Sequence, residues 1–148
     1  MILFSKQFNN TDYLKHLFKS YNCMFFDNSL PEIPVIIIDS NTLNGSFKFD
    51  YDDKYRILKN PRIEISFSNQ YTYNELENTM IHEMAHYKVF LNLTSETISK
   101  AFDAYDNNDI ETFKILLAMD KYGHSDSWKS IINELNHKYN IKIDIRKY

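Results

Sequence analysis

Five consecutive residues, His82-Glu83-Met84-Ala85-His86, constrain this chain more than any others. They read H-E-x-x-H and lie inside a strongly helical pattern. Residues four apart on a helix stack one turn above each other, with Cβ atoms about 5–6 Å apart. From that spacing two imidazoles can converge on one metal ion, with Zn–N bonds of about 2.0–2.1 Å. Glu83 is offset by one residue and stands beside the metal position. There it can act on a metal-held water instead of filling a coordination site. Two helical histidines can also be ordinary surface or core residues. With five histidines in the chain, composition alone gives this pattern about once in a hundred such sequences, so a metal site is the better reading.

The surrounding segment supports a central helix. Thr72 and Glu75 have the spacing of a capping box. Leu76, Met80, Met84, Tyr87 and Leu91 form one apolar stripe, with His82, His86 and Val89 on a neighbouring one. A helix apolar over so much of its circumference belongs inside the fold. The histidines are therefore expected to face a cleft.

Upstream, Thr11 or Asp12 can cap a helix over residues 13–26. Its stripe of Tyr13, Leu14, Leu17, Phe18, Tyr21 and Phe25 reads as core. His16 beside it reads as solvated, and Cys23 as a small packed side chain. Residues 35–39 are a β-branched run that predicts a strand. Residues 46–51 alternate Phe47, Phe49 and Tyr51 with polar residues, as a half-exposed strand does. Residues 62–68, with Ile63, Ile65 and Phe67, predict a third. Thr94 or Ser95 can cap a helix to Tyr105. A solvated break at residues 106–109 precedes another helix reaching Lys121. Ser125 or Asp126 can cap a final helix, where His137 reads as solvated, and residues 141–145 suggest a late strand. Strands that do not alternate regularly with helices favour an α+β fold with a small mixed or antiparallel sheet.

At 148 residues the chain is expected to form one domain with a real core, and two glycines and three prolines argue against long linkers. The net charge of −3 provides no global attraction to nucleic acid. The local cluster Lys54, Arg56, Lys59 and Arg62 could contact phosphate, but a solvated loop is the better reading. Cys23 is the only cysteine, which excludes an internal disulfide framework and a cysteine zinc site. The apolar start, Met1-Ile2-Leu3-Phe4, is too short for a signal-peptide core, and no run is long enough to span a membrane. The expectation is a soluble, cytoplasmic protein.

A catalytic zinc usually has three protein ligands and an open position. The compact arrangement with a third histidine six residues after His86 fails, because Asn92 stands there and Val89 occupies the glycine position. Glu96, Glu111 and Glu134 are formally available from later helices. His124 is the better candidate: Gly123-His124 sits at a junction between two expected helices, and Trp128 could brace the ring.

Three features together resemble the SprT-like metalloprotease domain, also found in Spartan proteins. They are Phe25-Phe26-Asp27-Asn28-Ser29-Leu30-Pro31, then Ile81-His82-Glu83-Met84-Ala85-His86, then Gly123-His124 with Trp128 four residues on. Their order and spacing agree over residues 13–135. The family usually has glycine where Ser125 stands, and no cysteine-rich zinc ribbon follows here. The resemblance implies a zincin-like fold with His82, His86 and His124 as zinc ligands and Glu83 as catalytic base. It implies a zinc-dependent endopeptidase with a protein or peptide substrate, and DNA-associated proteins are a candidate class. The competing reading is a non-catalytic zinc-containing module that binds protein or nucleic acid. The presence of Glu83, which a structural site does not need, speaks against it.

Overall fold

Among the described residues, three strands and five α-helices place the histidines. The computed structural model describes residues 10–68, 70 and 72–143. The elements are α1 (Asn10–Phe25), β1 (Val35–Ile38), β2 (Gly45–Asp52), β3 (Ile57–Ser66), α2 (Tyr73–Leu91), α3 (Ser95–Asp106), α4 (Ile110–Leu116) and α5 (Asp126–Tyr139), with a 3₁₀ turn at Asp120–Tyr122. The architecture is α+β with a mixed sheet of order β1-β3-β2. β1 runs parallel to β3, with Val35 opposite Ile63, and β2 runs antiparallel to it, with Phe47 opposite Ile63.

β3 is longer than the sequence pattern suggests and starts at Ile57, before Pro61. Proline lacks the N–H that a strand ladder needs, so it is tolerated at a bulge. Lys48 pairs with Arg62 and Asp50 with Lys59, which leaves Asn60 and Pro61 opposite the single residue Phe49. Asn60 takes a left-handed φ of 55°, the conformation that opens such bulges. The hairpin turn is held by the Asp52 carboxylate, which accepts from the backbone N–H groups of Lys54 and Tyr55 at 3.0 and 3.1 Å.

α2 is the central helix. Thr72 caps it by accepting from the Glu75 N–H at 3.2 Å. Leu76, Met80, Met84 and Tyr87 are buried in the main core. They join Leu14, Leu17 and Phe18 of α1, Ile63 and Ile65 of β3, and Trp128, Ile132 and Leu135 of α5. Burial of each such side chain contributes about 1.5–3 kcal/mol, which is why these stripes are core. Leu91 departs from the stripe and is exposed, as the last residue of the helix. A second cluster, Ala101, Phe102, Phe113 and Leu117, packs α3 against α4.

Three further segments differ from the sequence pattern. The helix expected to reach Lys121 stops at Leu116. The chain then turns through Ala118 and Asp120, both at left-handed φ. Residues 141–143 form no strand. Asn136 instead brackets Ile143, donating to its carbonyl at 2.8 Å and accepting from its N–H at 3.0 Å. Asp144 and Ile145 lie outside the described residues. Cys23 is exposed instead of packed, whereas His16 and His137 are exposed as expected.

The segment 25–31 has a structural role visible in its bonds. Asn22 holds both the N–H and the carbonyl of Leu30, at 3.1 and 2.8 Å. The Tyr87 hydroxyl donates to the Pro31 carbonyl at 2.9 Å. The turn is thereby tied to α1 and α2 together.

Candidate metal centre

His82 and His86 come from consecutive turns of α2, and His124 reaches them from the connection ahead of α5. The His82 and His86 Nε2 atoms lie 3.2 Å apart, and His124 Nε2 is 3.1 Å from His82 Nε2. All three rings offer a nitrogen within 4.8 Å of the others, close enough to hold one metal ion. A tetrahedral ion with bonds of about 2.0–2.1 Å sets its donors about 3.3 Å apart, so the observed separations fit such an ion. One Nε2 carries at most one hydrogen and cannot donate to two neighbours. The three nitrogens are thus placed as a possible donor set for one shared cation.

Burial suits the ring nitrogens to this role. It drives the His82 pKa down to about 2 and that of His86 down to about 3. The His124 pKa is also lowered by burial. All three are therefore neutral near pH 7, the form that binds metal. The His86 ring makes a hydrogen bond to the backbone of Gly123. This is the kind of outer contact that fixes a ligand's tautomer and orientation.

Trp128 organises the cluster. Its side chain is fully buried and lies against all three imidazoles, with ring centroids 4.7 Å from His82, 5.2 Å from His86 and 4.3 Å from His124. Its indole N–H donates to the His82 carbonyl at 3.3 Å. Ser125 caps α5 by accepting from the Trp128 N–H at 3.4 Å, which sets the helix that carries the indole. From sequence, Trp128 is a brace for His124 alone; its contact with the other two rings depends on how α5 packs on α2.

Glu83 is buried beside the trio, with Oε1 3.5 Å from His82 Nε2. Burial pushes its pKa up to about 8, against the stabilising hydrogen bond from the Phe47 backbone. Its Oε2 has no hydrogen-bond partner among the described residues. A buried carboxylate oxygen without a partner is costly, and this one belongs to a residue that lines the cleft. A cation at the trio would favour the ionised form.

The formal alternatives for the third ligand are elsewhere. Glu96 pairs with Lys100, Glu111 accepts from the Tyr122 hydroxyl at 2.6 Å, and Glu134 is exposed on α5. The hydroxyls of two nearby tyrosines are also engaged within the protein, Tyr122 with Glu111 and Tyr87 with the Pro31 carbonyl. The cluster opens on a cleft of about 630 Å³ between β2, α2 and residues 117–124. No family model, curated protein or solved structure matches this chain.

The cations near the hairpin are engaged within the protein. Arg56 bonds the Ser99 carbonyl and the Asp103 carboxylate, Arg62 pairs with Asp50 at 3.1 Å, and Lys59 lies 3.9 Å from Asp52. Lys54 sits over the Tyr55 ring. No helix among the described residues is long and apolar enough to cross a membrane.

Gly45 lets the first residues of β2 approach α2. A Cβ there would lie 2.7 Å from Thr79 Cγ2 and 3.2 Å from Glu83 Cγ. Gly45→Ala is expected to cost about 1–3 kcal/mol through overpacking, read as a lower urea midpoint, with Glu83 displaced from the trio.

The buried groups also set the pH response of the metal-free protein. His82 and His86 have folded pKa values below their unfolded value of 6.5. Their stabilising contribution is present above pH 6.5 and lost as pH falls towards the folded values. The Glu83 pKa rises from 4.5 to about 8, so its contribution is present below pH 4.5 and lost as pH rises through 8. Between 4.5 and 6.5 the two histidines outweigh the glutamate; above 6.5 only the glutamate titrates. Chelator-treated protein is expected to be most stable near pH 6.5, with urea midpoints falling on both sides.

Proposed function

We propose that this protein is a zinc-dependent endopeptidase with a zincin-like active site, akin to the SprT-like domain its motifs resemble. The observation that carries this reading is the convergence of His82, His86 and His124 beside a buried carboxylate, in a cleft large enough for a polypeptide. Three histidines with an open side are the donor set of a catalytic zinc. A closed structural site uses four ligands, and no fourth donor joins the cluster among the described residues.

The three imidazoles would hold the ion. Zinc bound there supplies a Lewis acid for the scissile carbonyl and makes a water acidic near neutral pH. Glu83 takes the proton from the attacking water and returns it to the leaving amine. Its burial favours the protonated form that it holds between the two transfers. Trp128 fixes the rings, and the Phe47 backbone N–H holds the carboxylate. β2, an outer strand of the sheet beside the cleft, can align an extended peptide by strand addition.

The test is to incubate zinc-loaded protein with unfolded proteins, free or bound to DNA, and to look for fragments that disappear with chelator. Self-cleavage counts as a positive result. Absence of chelator-sensitive fragments from every substrate would favour the non-catalytic module.

A further inference from the structure

The cleft beside the histidines has an uneven chemistry. Besides the imidazoles and Glu83, its lining includes Phe47 and Phe49 from β2, Val89 and Phe90 from α2, and Leu117 and Met119 from the connection after α4. The three phenylalanines form one aromatic group, with Phe90 centroids 5.5 Å from Phe47 and 4.9 Å from Phe49. Phe47, Phe49, Phe90 and Met119 are only partly buried, so they present apolar surface to the cleft. The charged residues that line the cleft away from the trio are paired already. Lys48 bonds Glu64 at 2.8 Å, Arg62 bonds Asp50 at 3.1 Å and Asp120 bonds Lys114 at 3.0 Å.

We propose that this aromatic wall is a specificity subsite that selects a large apolar or aromatic side chain close to the peptide bond presented to the three histidines. The inference rests on the endopeptidase reading and adds the substrate class. A charged side chain entering the cleft would lose water and meet no unpaired counter-charge on these walls, which is unfavourable. A small one would leave the phenylalanine faces wet. A leucine or phenylalanine side chain covers them. Because β2 supplies both Phe47 and Phe49, a peptide lying along that strand presents its side chains to the wall while its backbone follows the strand edge.

The test separates the subsite from the chemistry. Blocked hexapeptides varied at one position, as Ala, Asp, Lys, Leu or Phe, are titrated against zinc-loaded Glu83→Gln protein by fluorescence anisotropy. The same peptides are given to the unaltered zinc-loaded protein, with cleavage sites read by mass spectrometry. Leu and Phe peptides are expected to bind at least about tenfold more tightly than the other three, and to be cut next to the varied residue. Met119→Lys, with an unchanged circular dichroism spectrum, is expected to weaken the Phe peptide and strengthen the Asp peptide. A flat binding series, or no binding to any peptide, overturns the subsite. Cleavage with a flat profile overturns the subsite and leaves the endopeptidase standing. Apolar preference in binding with no chelator-sensitive cleavage upholds the subsite and overturns the endopeptidase reading.

Discussion

Glu83→Gln is expected to keep its zinc and to lose about a hundred- to ten-thousand-fold in peptide hydrolysis, the range that a positioned general base supplies. The substitution preserves shape, so the amide oxygen can still accept from the Phe47 N–H that now holds the carboxylate. What it cannot do is take up a proton. The histidine nitrogens are untouched, and metal content should stay at about one ion per chain. Stability of the metal-free protein should not fall either. A carboxyl whose pKa is pushed up to about 8 by burial is costly to ionise there, and a neutral amide removes that cost. Metal analysis and cleavage assays on the same preparation check both halves. Persistent cleavage by the purified variant would remove Glu83 from the role of base.

His124→Ala is expected to lose zinc and activity together. His82 and His86 alone offer two nitrogens on one helix face, half of a tetrahedral set. His124 closes the set from across the cleft, 3.1 Å from His82 Nε2. Even outer-sphere partners of zinc ligands are worth about ten- to a hundredfold in affinity, so loss of a ligand should exceed a hundredfold. The fold should survive. His124 is partly exposed and Trp128, the buried residue beneath it, remains. His16→Ala and His137→Ala are matched controls, because both side chains are exposed; their zinc content should not change. Full metal retention in His124→Ala would move the third ligand elsewhere.

Local signals were legible in the sequence where they matched one period or one cap. The α2 stripe as far as Tyr87 and the Thr72 cap appear as read, whereas β2 alternates through Phe47, Lys48 and Phe49 and then slips at the bulge, leaving Tyr51 exposed and Asp50 half-buried. The early start of β3 was hidden because Pro61 reads as a strand breaker, and only the pairing with β2 shows that it sits in a bulge. The early end of α4 was hidden for a different reason. Lys114, Leu116 and Leu117 keep a helical rhythm, while Ala118 adopts a left-handed φ of 52° that its residue type does not announce. The histidine trio was readable because chemistry restricts a site of this kind: two histidines at helical spacing would need a third donor, and His124 stood at a junction. Its setting was not readable. That Trp128 lies against all three rings, that Gly45 makes room for Glu83, and that Phe47 bonds the carboxylate depend on segments distant in sequence. Cys23 shows the limit of residue type alone: cysteine is usually buried, yet its position on α1 faces outward.

The most direct test is an anomalous difference map from crystals of zinc-loaded protein, collected on both sides of the zinc absorption edge. One peak is expected between His82, His86 and His124, about 2.0–2.1 Å from a nitrogen of each, with water in the fourth position. A peak at other residues, a fourth protein ligand closing the site, or no peak at all would contradict a catalytic zinc at these three histidines.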